Sequence, residues 1–156
     1  MKIKLIVIGK TDESYLKDGI DKYLKRLKHY ISFEMIIIND VVVGKKANII
    51  LQKDLEGKSI LDKINSNDFL VLLDENGGQY SSVNFSKYIQ KRMNAGNDLI
   101  FVIGGPFGFS EELYARANAK LSLSKMTFSH QMVRLFFIEQ IYRAFTILKG
   151  EKYHHE

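Results

Sequence analysis

The sequence LSLSKMTFSHQMVR, residues 121–134, joins a short apolar segment to a long apolar helix through a run of polar residues. A second unusual turn, GGPFG at 104–108, directly follows the apolar run LIFVI at 99–103. In parallel α/β sheets the carboxyl ends of the strands meet at one edge, and ligands bind there. We therefore expect both loops to contribute to one pocket, together with the turn that follows Leu73.

Apolar runs and helical spacing alternate along the rest of the chain. The patterns predict strands over 2–8, 33–38, 69–73, 99–103 and 121–124. They predict five helices: one after 11–13, one from Leu51 to Ile64, one from Ser81 or Ser82 to Gly96, one over 111–118 and one over 131–148. Gly57 is expected to interrupt the second helix. Ser110 is expected to cap the fourth, and Gly150 follows the fifth. Thr11, Asp12 and Glu13 are expected to supply an N-cap and first-turn acids. A polar connection is expected over 39–46. This alternation predicts an α/β fold, a parallel sheet flanked by helices on both faces.

Length and composition narrow the class of protein. A chain of 156 residues fits a single domain, 1–156, without a separate binding domain. The absence of cysteine excludes disulfides, thiolate metal ligands and a cysteine nucleophile. No apolar run reaches 18 residues, and the N-terminus does not resemble a signal peptide. We therefore expect a cytoplasmic protein that does not enter a membrane.

Positive charge is concentrated in the last third of the chain. The net charge is +5, and residues 113–156 carry seven Lys and Arg against three Glu, which is 7 − 3 = +4. Such a segment attracts a phosphate-bearing partner, although a modest basic excess also occurs in proteins that bind no nucleic acid. His130 and Arg134 are four residues apart, so one helical face can present both to phosphate. The alternative for His130 is simple capping of the helix.

The last predicted helix is apolar over most of its circumference, which is more apolar surface than one sheet face covers. In a domain of this size a second subunit is the expected cover, so we predict a homodimer. The alternative is a helix wedged inside a monomer.

Two nucleotide-binding motifs are absent. Pro106 follows Gly104 and Gly105, so the spacing of a dinucleotide-binding fingerprint fails, and Gln52 occupies the glycine position that a P-loop before Lys58 requires. The glycines of 104–108 are expected to let the backbone approach a flat ligand, and an ordinary strand-to-helix turn is the alternative. The tail YHHE at 153–156 lacks the spacing of a metal site, so no metal is expected.

Several motifs together resemble a known family. They are IGGPxG at 103–108, LSLSKMTFxH at 121–130, VR at 133–134, EQxYRA at 139–144 and YH at 153–154, with VxGK at 7–10 and YLKR at 23–26. The whole chain resembles the RlmH family, the bacterial 23S rRNA pseudouridine-N3 methyltransferases of the SPOUT class. The resemblance implies a C-terminal trefoil knot, S-adenosyl-L-methionine as methyl donor, a homodimer, and 23S rRNA of the assembled ribosome as substrate.

The resemblance also implies site residues. The positions that match the donor-binding residues of the family are Leu73, Gly104, Leu123, Ser124, Lys125, Met126, Thr127 and Phe128. As a hypothesis, His154 removes the acceptor proton or stabilises the resulting anion, Tyr153 orients the base, and Arg143 contacts phosphate. His130 and Arg134 are expected to contact RNA as well.

One residue departs from the family pattern. The family has proline before the histidine, whereas this chain has Ser129, which frees φ and restores an amide donor. We expect a looser loop and weakened donor binding. Two alternatives remain at this point: a catalytically inactive, ribosome-associated RNA-binding protein of the same fold, and a dinucleotide-dependent oxidoreductase, which the missing fingerprint disfavours.

Overall fold

A computed structural model describes residues 1–41 and 48–155 and contains one five-stranded sheet. The strands are β1 (Ile3–Ile8), β2 (Phe33–Ile38), β3 (Phe69–Gly78), β4 (Leu99–Ile103) and β5 (Ala119–Leu121). Their order is β2-β1-β4-β3-β5, and all neighbours pair in parallel. The predicted parallel sheet is confirmed. Because β3 lies between β4 and β5, the loops after these three strands meet at one edge.

Helices cover both faces of the sheet, as predicted. They are α1 (Ser14–Leu27), α2 (Ile49–Leu61), α3 (Ser82–Ala95), α4 (Glu111–Arg116) and α5 (Met132–Leu148). On one face, α1, α3 and α5 pack a core centred on Phe85, Phe101 and Phe137. On the other face, α2 and α4 contribute Ile60 and Leu113 to a second core. Alternate strand residues point to each core, since successive side chains leave a strand on opposite faces.

Most of the predicted helix boundaries are confirmed. The Ser81 and Ser110 hydroxyls accept hydrogen bonds from backbone N–H groups three residues later, and they cap α3 and α4. Gly96 ends α3 with φ of 81°, and Gly150 follows α5 with φ of 69°. These positive φ values are why glycine suits both positions. Helix α4 ends at Arg116, two residues before the predicted end.

Two predictions about α1 and α2 are wrong. Helix α1 begins at Ser14, and Glu13 precedes it without a side-chain capping bond, so Thr11 and Asp12 lie outside the helix. Helix α2 continues through Gly57 and ends at Leu61, so Gly57 does not interrupt it and Ile64 lies beyond it. A Cβ on Gly57 would lie 2.4 Å from the Ser110 hydroxyl. Glycine is needed there because α2 packs closely against the start of α4.

The prediction for β3 and β5 is also wrong in its boundaries. Strand β3 does not end at Leu73 but continues to Gly78, and β5 covers Ala119–Leu121 rather than 121–124. The register shifts, so that Leu121 faces both Leu73 and Gly78. A Cβ on Gly77 would lie 2.6 Å from the Leu121 backbone, so glycine permits this close approach. The alternating LSLS segment therefore leaves the sheet after its first residue and forms a loop.

The predicted polar connection over 39–46 lies partly outside the described residues, because these omit 42–47 and residue 156. None of the helices in the described parts of the chain combines the length and the apolar character that crossing a bilayer requires.

Candidate functional site

A cleft of about 470 Å³ opens at the carboxyl ends of β4, β3 and β5. Its walls are residues 73–76 after the buried part of β3, 103–109 after β4, and 121–124 with 126–128 after β5; His130 and Val133 complete it. The three loops expected to converge therefore do so. Of the eight residues predicted to bind the donor, seven line this cleft, and Lys125 is exposed outside it.

The glycines of the turn that lines the cleft also allow close packing within the protein. A Cβ on Gly104 would lie 2.9 Å from the buried Phe109 ring, and a Cβ on Gly105 would lie 3.1 Å from Glu56 Oε2. The missing side chains thus make room for the protein beneath the turn. Gly108 closes the turn with φ of 83°, and its N–H donates to the Gly105 carbonyl at 3.2 Å.

Glu56 is a buried carboxyl group directly behind this turn, and the sequence analysis missed it. It is 4% exposed and accepts a hydrogen bond from Gln52 Nε2 at 3.2 Å. Burial raises the pKa of Glu56, with a further contribution from Asp40, while the bond from Gln52 opposes the shift. Together with Gly57, which packs on Ser110, Glu56 places α2 against both ends of the glycine turn.

The loop after β5 is held in shape by its own serines. The Ser122 N–H donates to the Gly78 carbonyl at 2.9 Å, and its hydroxyl donates to the Ser124 carbonyl at 2.8 Å. The Ser124 hydroxyl then accepts from the Met126 N–H at 3.0 Å. These bonds turn the backbone of 122–126 into a wall of the cleft, while the Met126 side chain stays 78% exposed.

Acidic groups stand at the mouth of the cleft. Asp74 accepts hydrogen bonds from the Asn76 N–H at 2.8 Å and from the Tyr114 hydroxyl. Burial, followed by the bond to Asp74, raises the pKa of Tyr114 to about 12. Glu75 adds a second carboxylate to the lining. A negative wall beside an apolar floor suits a ligand that combines a positive charge with flat apolar parts.

Ser129 has a contact that proline would lack. Its hydroxyl accepts from the Met132 N–H at 3.0 Å, and its carbonyl accepts from the Val133 N–H at 3.0 Å. Ser129 thus satisfies an amide at the start of α5, where amides have no partner within the helix. This contact argues against the looser loop expected from the sequence, and the effect on donor binding stays a prediction.

Arg134 does not lie where a phosphate could reach it. The residue is 1% exposed, and its guanidinium donates to the carbonyls of Ile8 at 2.6 Å and Gly9 at 2.9 Å, and to the Thr11 hydroxyl at 3.3 Å. Its Nε donates to the His130 carbonyl at 3.2 Å. The expectation that Arg134 contacts RNA is therefore corrected: this cation fastens α5 to the end of β1. His130 remains at the cleft.

The predicted catalytic residues come together at the other end of α5. Arg143 donates to Glu139 Oε1 at 2.6 Å and to His154 Nδ1 at 3.1 Å, and Tyr153 donates to the same Glu139 oxygen at 2.9 Å. The Tyr23 hydroxyl lies 3.2 Å from that of Tyr153, and the Arg143 guanidinium lies 4.7 Å from the centre of the Tyr153 ring. We call these five residues the C-terminal cluster. Sequence reasoning missed Tyr23 and Glu139 as members, although the spacing of Glu139 and Arg143 indicates a pair on one helical face.

The hydrogen bonds define the protonation of this cluster. Arginine only donates, so His154 Nδ1 is the acceptor, and neutral imidazole carries its proton on Nε2. Burial, with hydrogen bonds to Tyr23 and Glu139, raises the pKa of Tyr153, so its phenol stays protonated at neutral pH. The cluster therefore supplies hydrogen-bond donors and a cation.

The cleft and the C-terminal cluster are separate within one chain. Val133 lines the cleft and Arg143 belongs to the cluster, so ten residues of α5 separate them, which is about 15 Å along a helix axis. Between them α5 exposes Phe136, whose ring lies 5.4 Å from that of Phe128, and Met132 is exposed just before Val133. With Met126 these residues form an apolar face beside the cleft; Phe136 is 45% exposed.

Within the described parts of the chain, no group of three or more His, Asp and Glu residues is arranged to hold a metal ion.

Comparison with known proteins places this architecture in a family. Residues 1–154 match the family described as "Predicted SPOUT methyltransferase". The chain is 63% identical to ribosomal RNA large subunit methyltransferase H of Christiangramia forsetii, with 99% of each chain covered. It is 58% identical to the protein of that name from Flavobacterium johnsoniae and 49% identical to the one from Bacteroides thetaiotaomicron, in both cases with 100% of each chain covered. On the strength of both matches, the chain belongs to the SPOUT methyltransferase family.

Proposed function

We propose that this single-domain protein transfers the methyl group of S-adenosyl-L-methionine to N3 of a pseudouridine in 23S rRNA of the assembled ribosome. The observation that carries the proposal is the cleft at the sheet edge, built from the loops whose sequences resemble the donor-binding motifs of the family. The names of the relatives, which identify ribosomal RNA as substrate, support the choice of acceptor. Ribosomes place the reaction in the cytoplasm.

The properties of the cleft fit the donor. Its volume of about 470 Å³ lies within the range of small-molecule sites. Backbone groups around Gly104 and Met126 are positioned to contact an adenosine moiety, and Asp74 and Glu75 suit a ligand with sulfonium and ammonium charges. The donor supplies an already activated methyl group, so the protein mainly has to hold the acceptor nitrogen about 3–3.5 Å from it and in line.

The C-terminal cluster suits the acceptor. The acceptor nitrogen of a uracil-like base gives up its proton to His154 or to solvent water, and a nearby cation stabilises the anion that results. Arg143 supplies this cation, and Glu139 and Tyr153 fix its orientation. His154, held by Arg143, is the group we expect to remove the proton or to stabilise the anion. The base itself has to come from an RNA loop, because a paired base is out of reach.

The spacing of the two sites along α5 supports a site shared by two copies of the chain. Val133 in the cleft and Arg143 in the cluster are about 15 Å apart along the helix axis, whereas methyl transfer needs the reacting atoms about 3–3.5 Å apart. The exposed apolar face of Met126, Phe128, Met132 and Phe136 lies next to the cleft, and a two-fold related copy would cover it. We propose that in this homodimer the cleft of one subunit faces the C-terminal cluster of the other.

Calorimetric titration tests the donor site. S-adenosyl-L-methionine is expected to bind, and NADH is not. Thr127→Tyr is expected to block binding, because an exposed side chain on the cleft wall would then fill the cleft without disturbing the core. Lys91→Tyr, at an exposed position of α3 outside the cleft, is the matched control and should bind normally. Preferential NADH binding would favour the oxidoreductase alternative.

Activity on ribosomes tests the reaction. Unmethylated ribosomes incubated with labelled donor should gain label at one pseudouridine of 23S rRNA. Donor binding without any transfer would favour the alternative of an inactive RNA-binding protein.

Subunit mixing tests the shared site. Thr127→Tyr damages only the cleft and Arg143→Gln damages only the cluster, so each homodimer is expected to be inactive. In a mixture, half of the dimers contain both chains and each has one intact composite site, which gives about one quarter of wild-type activity. No recovery of activity would mean that each site lies within one chain.

A further inference from the structure

The C-terminal ends of α1 and α5 lie side by side and carry five cations. The Tyr30 hydroxyl, just after α1, donates to Glu151 at 2.7 Å, and its ring lies 6.0 Å from that of Phe145. Around this junction stand Lys25, Arg26, Lys28, Lys149 and Lys152, which we call the basic end. In the described residues none of these five forms an ion pair with a carboxylate within 4.0 Å.

Aromatic rings are interleaved with these charges. The Arg26 guanidinium lies 5.6 Å from the centre of the Tyr23 ring and 5.5 Å from that of Tyr142. Such cation–π contacts restrain the side chain while leaving its positive charge in place. Tyr23 is also a member of the C-terminal cluster, through its contact with Tyr153. The basic end is therefore continuous with the groups that receive the acceptor base.

Interaction with the helix dipoles does not by itself explain why the five cations of the basic end lie together. Cations in a last turn do interact favourably with the helix dipole, and Lys25 and Arg26 occupy that turn of α1. The last turn of α5, however, contains no cation, and Lys149 and Lys152 lie beyond it. The charges gather where two helix ends meet beside the cluster, which a role confined to each helix would not require.

We propose that the basic end binds the phosphate backbone of the RNA on either side of the nucleotide that enters the C-terminal cluster. This inference rests on the proposed function and replaces the contact that buried Arg134 cannot make. Unpaired lysines provide charge without reading sequence, as phosphate contacts do. Arg26, fixed between two rings, provides an oriented donor at the border with the cluster.

A matched pair of double variants tests the inference in the full-length protein. The first is Lys25→Gln with Lys28→Gln, in the last turn and at the C-cap of α1. The control is Lys58→Gln with Lys63→Gln, in the last turn and just past the end of α2 on the opposite face of the sheet. Both remove two exposed lysines from a helix end, so any loss of helix-dipole stabilisation is matched.

The first variant is expected to bind S-adenosyl-L-methionine normally and to keep its kcat at saturating ribosomes. Its KM for ribosomes should rise about fivefold or more at 0.1 M salt for each lost phosphate contact. The slope of log(kcat/KM) against log[salt] should become shallower by about 0.7–0.9 for each contact. The control should match wild type in both measurements.

Two failures are distinguishable. If the wild-type protein binds donor but does not methylate ribosomes, the proposed function fails. If it does methylate them and the two double variants have the same KM and salt slope, the basic end does not bind RNA. A KM increase without a change of salt slope would also overturn the inference, since a phosphate contact alters both.

Discussion

The cleft at the start of α5 and the C-terminal cluster near its end are built in different ways. At its start, the cleft is built from backbone: glycines packed against Phe109 and Glu56, and a loop closed by its own serines. At its end, the C-terminal cluster is built from side chains around Glu139. A ligand such as the methyl donor needs a fixed shape, whereas an anion forming during reaction needs placed donors. Arginine illustrates the contrast: Arg134 at the start of α5 is buried against backbone carbonyls, whereas Arg143 near its end belongs to the side-chain cluster.

Arg134 provides the largest expected effect, on stability. Arg134→Met would leave the carbonyls of Ile8 and Gly9 buried without their donors, and we expect the free energy of unfolding to fall by roughly 2–5 kcal/mol. Urea denaturation measures this change. A loss below about 1 kcal/mol, the net value of one ordinary hydrogen bond, would contradict the structural role of Arg134.

Arg143 tests the opposite end of the helix. Arg143→Gln is expected to lower kcat on ribosomes by about 10²–10³-fold, because a cation facing the developing charge is lost. Its unfolding free energy should change far less than that of Arg134→Met, since the Arg143 side chain is half-buried and contacts no buried carbonyl of the sheet. The comparison fails if Arg143→Gln unfolds as easily as Arg134→Met while retaining kcat.

Gly57 tests whether the floor of the cleft depends on packing from α2. Gly57→Ala would place a Cβ 2.4 Å from the Ser110 hydroxyl, so α2 or α4 has to shift. We expect a loss of about 1–3 kcal/mol, typical of overpacking, and weaker donor binding. Gly96→Ala meets no atom within 4 Å of its new Cβ, but the φ of 81° strains alanine by about 1–2 kcal/mol, so this variant is a destabilised control that should keep donor affinity. Equal donor affinity in both variants would show that the shape of the cleft does not depend on packing from α2.

Ser129 gives a smaller effect, local to the start of α5. Ser129→Ala removes the acceptor of the Met132 N–H, and we expect a loss of about 1 kcal/mol in unfolding free energy. Ser129→Pro introduces the residue of the family pattern, which also removes the hydroxyl contact but restrains φ of the backbone. Comparing the two variants therefore distinguishes the effect of the hydroxyl from that of the backbone restraint. If serine weakens the loop, proline will tighten donor binding in calorimetry; unchanged affinity would show that the hydroxyl contact compensates.

Buried Glu56, behind the glycine turn, is expected to make the unfolding free energy depend on pH. Because burial raises its pKa in the folded state, folding favours the protonated form, and the wild-type protein loses stability as pH rises from about the unfolded value of 4.5 through the raised value. Glu56→Gln stays neutral, so its stability relative to wild type should increase over the same pH window. Urea titrations at several pH values measure this difference, and a constant difference would contradict the burial effect.

Local patterns were sufficient for much of the fold. Continuous apolar runs predicted β3 and β4 because a strand covered on both faces contains little else. Hydroxyl caps at Ser81 and Ser110 were recognisable because their bonds stay within one helical turn. The convergence of three loops on one cleft followed from the parallel topology alone.

Non-local contacts explain the errors. The segment LSLS alternates like a strand, but its pairing depends on Gly77 and Gly78 more than 40 residues earlier in the chain. Arg134 and Arg143 are both cations on one apolar helix, and only the carbonyls at the end of β1 distinguish them. Likewise, a sequence does not reveal which side of a glycine faces a neighbour, so Gly57 was interpreted as an interruption rather than a contact.

The guanidinium of Arg134 donates to the carbonyls of Gly9 and Ile8, which lie 125 and 126 residues before it in the chain. Protein synthesis delivers β1 first and α5 almost last, and domains generally fold as they emerge. The terminal carbonyls of β1 therefore remain without their native donor until the start of α5 has left the ribosome. Nascent chains stalled before residue 134 should remain sensitive to protease, because the native state of this protein is completed by its final helix.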